Sequence, residues 1–128
     1  MPVGTVHRDA ATAEFFDGTA RGELLIRRCA ECRGHAAPQA RTCPHCGSPA
    51  LSWTPAAGTG QVVSWSVVHA KGASPTVVAI VELDEEPWIQ LQITGAAPEE
   101  VHGGMRVRVG FERPEGGEAI PVFRPAND

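Results

Sequence analysis

The sequence predicts a mainly β chain in which a short N-terminal helix and a small cysteine-rich ribbon precede a five-stranded barrel. Three observations predict this fold class. Two Cys-x-x-Cys pairs lie close together in the first half of the chain. Five short stretches of alternating or β-branched residues follow, separated by Gly, Pro and acidic turns. A short stretch that contains the aromatic pair Phe15 and Phe16 precedes both regions.

The composition is that of a small globular protein. The chain has 128 residues, 42% of them hydrophobic and 20% charged, which fits one modest domain or two very small ones. The formal net charge of −4 has the wrong sign for the basic face that nucleic-acid-binding proteins usually present. The first residues contain no apolar run of the signal-peptide type. We therefore expect a cytoplasmic protein, in which thiols stay reduced.

The N-terminal region is predicted to contain a loose tail at 1–9 and a helix at 10–22. Gly22 suits the left-handed residue that often ends a helix. Gly18 weakens the helix prediction by ~1 kcal/mol relative to alanine, so the helix is expected to need a surface to pack on. The predicted domains are tail and helix at 1–22, ribbon at 23–54 and barrel at 55–128.

The four cysteines follow the spacing C-x2-C-x10-C-x2-C. Two residues between cysteines let both sulfurs face one ion, and two such turns complete a closed tetrahedron. A closed all-cysteine site holds structure, whereas a catalytic zinc keeps an open position. We predict one structural zinc per chain; iron, as in rubredoxin, and disulfides are the lesser alternatives. The predicted ligands are Cys29, Cys32, Cys43 and Cys46.

Short strands are predicted on both sides of the cysteines, at 24–28 and 50–53. Together with the metal they form two small pinned hairpins, which is the plan of a rubredoxin-like zinc ribbon. His35 and His45 lie beside the cysteines. We interpret both as bystanders, because four thiolates already complete the coordination sphere.

The barrel prediction rests on alternation along five stretches of chain. In the fourth, Arg106 and Arg108 alternate outward while the apolar residues between them face inward. One helical turn is predicted at 98–104, between the third and fourth strands. A five-stranded barrel with such an insertion is the plan of the oligonucleotide/oligosaccharide-binding (OB) fold. The predicted strands are 62–68, 76–83, 88–93, 105–111 and 120–123.

No catalytic constellation is evident in the sequence. The cysteines are assigned to metal, and Ser64, Ser66 and Ser74 lack the sequence context of a nucleophile elbow. His69 or His102 could act as a general base, but nothing nearby in sequence orients either ring. We therefore expect no catalytic residues, while a small enzyme that acts alone on a thioester stays open as an alternative.

A set of motifs follows in order along nearly the whole chain. The motifs are FFDG at 15–18, GELLIRRC at 22–29, CPHCGS at 43–48, LSW at 51–53, GTGQVVSW at 58–65, PTVVAIVEL at 75–83, GMRVRV at 104–109 and IPVFRP at 120–125. In this order they resemble the zinc-ribbon-plus-OB-barrel proteins known as domain of unknown function 35. Two turns depart from the family pattern: Glu85-Glu86-Pro87 stands where the family often has a glycine turn, and Arg33 separates the first cysteine pair from its glycine.

The resemblance implies an accessory subunit that assembles with a larger acyl-CoA enzyme. The partners it implies are thiolases, thiolase-like acyltransferases, aldolases and acyl-CoA hydratases. The chemistry would belong to the partner, the ribbon and helix would dock on it, and the barrel would shape or cover the CoA channel. A hetero-oligomer is therefore expected.

Two sets of residues are candidates for contact with the partner or with CoA. Phe15 and Phe16 would anchor the interface, the alternative being packing within the chain. Lys71, Arg106 and Arg108 would meet CoA phosphates or an acidic partner patch, the alternative being ordinary solvated side chains.

The competing function is a single-stranded nucleic-acid-binding module, because ribbons and OB barrels both bind nucleic acid. Its stacking residues would be Trp65 and Trp88, the aromatic residues available on the barrel strands for this purpose. The negative net charge and the 5% aromatic content argue against it.

Overall fold

The computed structural model describes residues 10, 12–69, 71–72 and 74–126. The chain forms one helix, a three-stranded sheet and a closed five-stranded barrel, which confirms the predicted fold class. The predicted tail at 1–9 lies outside the described residues. No helix in the described part is long and apolar enough to span a membrane. The elements are α1 Ala13–Ala20, β1 Leu25–Cys29, β2 His35–Ala36, β3 Leu51–Pro55, β4 Thr59–Val68, β5 Thr76–Leu83, β6 Trp88–Ile93, a 3-10 turn Pro98–Glu100, β7 Arg106–Glu112 and β8 Ile120–Pro125.

Helix α1 is shorter than predicted, but it ends as the sequence indicates. Gly22 adopts a φ of 80°. Its N–H donates to the carbonyl of Thr19 at 3.0 Å, and the N–H of Glu23 donates to the carbonyl of Gly18 at 2.9 Å. This pair of bonds is the Schellman motif, which satisfies carbonyls that the last helical turn leaves free.

Gly18 proves to be required by packing rather than merely tolerated in the helix. A Cβ built at this position would lie 2.5 Å from Cγ of Leu25, the first residue of β1. The helix backbone therefore approaches the ribbon at a distance that only glycine allows. This contact supplies the surface on which the short helix was expected to depend.

The ribbon sheet has the order β2-β1-β3, with both pairings antiparallel. Strand β3 extends to Pro55, beyond the predicted end, because it pairs with β1 as far as Leu25. Strand β2 has two residues and was not predicted. It exists only through pairing with β1, and two residues are too few to show an alternating pattern.

The barrel closes in the order β4-β5-β6-β8-β7. The bounds of β5 and β6 are those predicted. Strand β4 begins three residues earlier than predicted, because Thr59–Gln61 pair with β7. Strands β6 and β8 meet through one parallel pair, Ile93 and Phe123. The predicted helical insertion is a single 3-10 turn between β6 and β7, the position expected for an OB barrel.

One hydrophobic core fills the barrel and extends into the ribbon. Leu24 and Ile26, which belong to the β1 region of the ribbon, are 1% and 0% exposed and lie in the same buried cluster as the barrel side chains. Helix α1 contacts both β1 and β8. The cluster also contains Val62, Val77, Ala79, Val81, Leu83, Ile89, Ile93, Val101, Val107 and Phe123.

Candidate metal centre and the surfaces around it

The two Cys-x-x-Cys turns have the same backbone hydrogen bonds. In each turn the N–H of the first cysteine donates to the carbonyl five residues later, at 2.8 Å for both Cys29 and Cys43. The N–H four residues after each first cysteine donates back to that cysteine's carbonyl, at 3.0 and 2.8 Å. The chain thus folds twice into one local turn, and each turn presents two sulfurs to the same point.

Each turn requires a residue with positive φ directly after its second cysteine. Gly47 has a φ of 77° in the second turn, and Arg33 has a φ of 65° in the first. The displaced glycine of the first turn, Gly34, has a different role. A Cβ there would lie 2.8 Å from Cδ2 of His45 and 3.3 Å from Sγ of Cys32. Gly34 therefore lets the second turn pack over the first.

The four sulfurs lie within 4.8 Å of one another. Sγ of Cys29 is 3.6 Å from Sγ of Cys46, and Sγ of Cys32 is 3.5 Å from Sγ of Cys43. A tetrahedral site with zinc–sulfur bonds of about 2.3 Å has sulfur–sulfur edges of about 3.8 Å. A disulfide bond is about 2.05 Å long, and all four thiols are free. The set fits one metal ion.

Backbone amides also point at the sulfurs. The N–H groups of Gly34 and His45 donate to Sγ of Cys32 and Cys43, both at 3.4 Å. Donors of this kind favour the thiolate, which is the form that binds metal. They are a direct consequence of the turn geometry.

The thiols have opposing pKa shifts. The backbone N–H of Cys32 is the largest cause that lowers the pKa of Cys29 to about 6. At Cys46 the N–H of Ser48 lowers the pKa, but the other sulfurs, Cys29 first among them, and desolvation raise it to about 12. Four thiolates at this spacing repel one another, so full ionisation needs a cation among them. The donor set therefore suits a divalent metal ion.

The histidines have no metal or catalytic arrangement among the described residues. His45 packs beside Gly34, and His35 lies in β2. His69 is exposed just after β4, and His102 is exposed with Nδ1 3.1 Å from the carbonyl oxygen of Glu100. In the described part of the chain neither His69 nor His102 contacts a carboxylate that could orient its ring for base catalysis.

Both residues of the aromatic pair of α1 border a groove, and Phe16 is the more buried of the two. Phe16 is 7% exposed and is held inside the chain. Phe15 meets it edge to face, with ring centroids 5.4 Å apart, and lines an open groove of about 690 Å³ between helix, ribbon and barrel. In the groove the guanidinium of Arg27 lies 4.3 Å from the ring centroid of Trp53. Sequence reasoning missed this stack, because it depends on the register of β1 and β3.

The three basic candidates are not brought together. Lys71 lies in the connection after the far end of β4, whereas Arg106 and Arg108 pair with its beginning. Arg106 is bound by Asp84, with Nη2 and Oδ1 3.1 Å apart. Asp84 also accepts the hydroxyl hydrogen bond of Thr59, and this bond first, then Arg106, lowers its pKa.

Arg108 has a neighbour that the sequence did not reveal. It stands directly opposite Arg124 in the pairing of β7 with β8, and both are exposed. The Arg124 guanidinium lies over Gly110, where a Cβ would meet it at 2.9 Å. Like charges that face each other across strands are destabilising unless an anion joins them. The alternating pattern placed Arg108 outward, but only the strand register reveals Arg124 as its partner.

The two candidate stacking residues lie on opposite faces of the barrel sheet. Trp65 pairs with Ala79 on β5, and Trp88 pairs with Glu82 three positions further along β5. Successive residues of a strand face opposite sides, so these rings do not form one platform. Trp88 also donates through Nε1 to Glu82 at 3.2 Å, in an acidic setting that disfavours phosphate.

Comparison with known proteins identifies the family. A family model described as the C-terminal OB-fold domain of ChsH2 matches residues 53–112. A DUF35 domain-containing scaffold protein of Methanocaldococcus jannaschii is 35% identical over 96 residues, which cover 70% of this chain and 68% of that protein. The chain belongs to the DUF35 family.

Two further matches extend along nearly the whole DUF35 chain. A solved structure described as the Ltp2-ChsH2(DUF35) aldolase aligns with a TM-score of 0.77 at 36% identity, covering 96% of this chain and 98% of that one. A probable enoyl-CoA hydratase alpha subunit of Thermomonospora curvata is 37% identical over 129 residues. The alignment covers 98% of the DUF35 chain but 40% of that relative, so this chain spans less than half of the relative's length.

Proposed function

We propose that this chain is a non-catalytic accessory subunit that binds a thiolase-fold acyl-CoA enzyme and helps to form its complex or its acyl-CoA channel. The observation that carries the proposal is the 36% identity to a chain of the Ltp2-ChsH2(DUF35) aldolase, of which 98% is covered. Nothing in the described residues competes with this role. The four thiols are gathered in one cluster, and neither His69 nor His102 is oriented by a carboxylate.

Within this proposal the cysteine cluster holds a structural zinc ion. Four thiolates form a closed tetrahedral set that leaves no position for substrate. Elemental analysis of the purified chain is expected to find close to one zinc per chain. Iron in place of zinc would contradict the metal assignment without touching the rest of the proposal.

The groove between helix, ribbon and barrel is the proposed docking place for the partner enzyme. Phe15 lines it, and the Arg27–Trp53 stack forms part of its wall. Phe15 is half-buried against the core and Phe16 is buried beside it, so we assign Phe16 the task of holding the Phe15 ring in place. Aromatic and arginine side chains are the residues that most often carry interface binding energy.

The barrel surface at Arg108 and Arg124 is the proposed contact for CoA phosphates or for an acidic patch of the partner. Arginine forks suit both kinds of anion. Arg106 contributes less to this surface, because its guanidinium is already paired with Asp84. Lys71, at the other end of β4, would contact a separate part of the partner.

The test is co-expression with a thiolase-fold acyl-CoA enzyme encoded beside this chain in its native genome, followed by size-exclusion chromatography. The two proteins are expected to co-elute. Phe15→Ala is expected to weaken the complex by about tenfold or more, because a buried interface aromatic contributes about 1.4 kcal/mol or more. The matched control is Val63→Ala, which truncates an apolar side chain that does not line the groove. Separate elution, with full enzyme activity in the absence of this chain, would refute the proposal.

A second candidate is a subunit of an acyl-CoA hydratase. It is favoured by the match to the probable enoyl-CoA hydratase alpha subunit over 98% of this chain. Co-expression with a hydratase-type partner in parallel separates the two candidates. Co-elution with the hydratase alone would favour the second one.

A further inference from the structure

Strand β4 leaves the closed barrel halfway along its length. Its first residues pair with β5 on one side and β7 on the other. The last bonds on the β7 side join Val62 to Met105 at 3.0 Å and to Gly104 at 2.8 Å. A register shift then separates Val62 from Ser64. Among the described residues, Ser64–Val68 pair with β5 only, and the other edge of this segment is open.

This open edge lacks the devices that usually protect an edge strand. Ser64–Val68 contain no charge and no proline, and the bulge lies before the segment rather than within it. Trp65 and Val68 are 42% and 51% exposed. An uncharged, regular and partly apolar edge with free backbone groups is a template for another strand.

The segment is suited to a second copy of itself. Two identical strands can pair antiparallel about a two-fold axis that passes between the two copies of one residue. Residues that oppose each other across the pair must share a face of the sheet, so the axis cannot lie between two successive positions. With the axis at Ser66, Trp65 of one copy faces Val67 of the other, and Ser64 faces Val68. These are aromatic–β-branched and polar–apolar pairs without charge repulsion. An axis at Trp65 would instead require Val63, which lies in the bulge.

We propose that the Ser64–Val68 edge is a homodimer interface, at which the β4 strands of two copies join their barrel sheets around a two-fold axis at Ser66. The interface concerns two copies of this chain alone, so it does not depend on the proposed acyl-CoA partner. It lies on β4, whereas the proposed docking groove lies between helix, ribbon and barrel.

Light scattering on the full chain tests the interface. The expected mass is about 27 kDa, twice the 13.5 kDa of one chain. Ser66→Lys places two positive charges opposite each other at the axis, and because the position is exposed the fold is expected to stay intact. It is expected to give a monomer. Trp88→Lys, at an exposed position of β6 that does not lie on this edge, is expected to remain a dimer.

Cross-linking tests the register. Ser66→Cys is expected to form a disulfide between copies under mild oxidation, because residues opposed across strands have Cα atoms within disulfide range. Ser64→Cys is the control, and it is expected to form none, since position 64 faces position 68 of the other copy. A monomer at all concentrations, a dimer that survives Ser66→Lys, or cross-linking at 64 but not at 66 would each overturn the proposal. If the chain is a monomer, the open edge is better explained as a binding site for a strand of another protein.

Discussion

At the scale of single residues, backbone conformation decides more than side-chain chemistry in the cysteine turns. Arg33 and Gly47 occupy equivalent positions and share a positive φ. A left-handed conformation costs a residue with a Cβ about 1–2 kcal/mol relative to glycine. The first turn therefore carries a strain that the second avoids. Glu86, with a φ of 94°, carries a similar strain at the turn where the family often has glycine.

This difference predicts unequal effects of substitution in the two turns. Gly47→Ala is expected to lower the free energy of unfolding by about 1 kcal/mol, because it introduces the strain. Arg33→Gly is expected to change it by less than about 1 kcal/mol, because relief of strain is offset by the greater freedom of glycine in the unfolded chain. Urea denaturation measures both.

The control for this pair is Gly103→Ala, at a glycine without positive φ and with open space around its Cβ position. It is expected to be neutral or slightly stabilising. A Gly47→Ala variant as stable as the Gly103→Ala variant would contradict the assignment of strain to the turns.

At the scale of elements, the strands are held in register by a polar group that the alternating pattern does not reveal. Asp84 lies in the turn between β5 and β6. It accepts a hydrogen bond from Thr59 on β4 and pairs with Arg106 on β7. One side chain thus joins three neighbouring parts of the barrel. The same region explains why β4 begins earlier than predicted, because Thr59 is held both by Asp84 and by its pairing with β7.

Asp84 predicts a specific dependence of stability on pH. Its pKa is lowered in the folded chain, by Thr59 first and then by Arg106. Its contribution is therefore fully present above the ordinary aspartate value of about 3.9 and is lost as the pH falls through the lowered folded value. Asp84→Asn is expected to abolish this loss of stability at low pH. Near pH 7 it is expected to lower the free energy of unfolding by less than about 1 kcal/mol, because the pair of Asp84 and Arg106 is partly exposed.

The measurement is thermal or urea unfolding between about pH 2 and pH 7. Glu99→Gln, in the 3-10 turn, is the matched control, because it removes an exposed carboxylate outside this network. If both variants show the wild-type slope between pH 2 and pH 4, Asp84 does not supply the acid-sensitive contact.

At the scale of the whole molecule, the ribbon and the barrel are not independent units. Leu24 and Ile26 are fully buried in the cluster that contains the barrel residues. The cysteine turns hold the ends of the ribbon strands that present these side chains. A metal ion bound by the cysteines would therefore stabilise the barrel as well as the ribbon, because metal binding and folding of such small modules are coupled.

Removal of the metal is therefore expected to destabilise the barrel as well as the ribbon. Loss of the packed positions of Leu24 and Ile26 would cost up to about 3–6 kcal/mol of apolar burial. Amide hydrogen exchange in β5 is expected to accelerate by about a hundredfold or more after chelation, and in the Cys43→Ser variant. Unchanged exchange in β5, with the ribbon fully exchanged, would show that the two parts fold separately.

The sequence by itself determined the features that depend on local spacing. The cysteine set follows from the length of each turn, and the bounds of β5 and β6 follow from uninterrupted alternation. The helix end at Gly22 follows from the need for positive φ. The order of the motifs also indicated the DUF35 family, because the family pattern is a pattern along the chain.

Only the tertiary structure decided the features that depend on which distant segments meet. The contact of Gly18 with Leu25, the pairing of Arg108 with Arg124 and the burial of Ile26 in the barrel core are consequences of packing and register. The open edge of β4 is of the same kind. The alternating pattern of a strand indicates which of its two faces is apolar. Which other strand lies along each of its edges is decided by long-range pairing, which no local pattern contains.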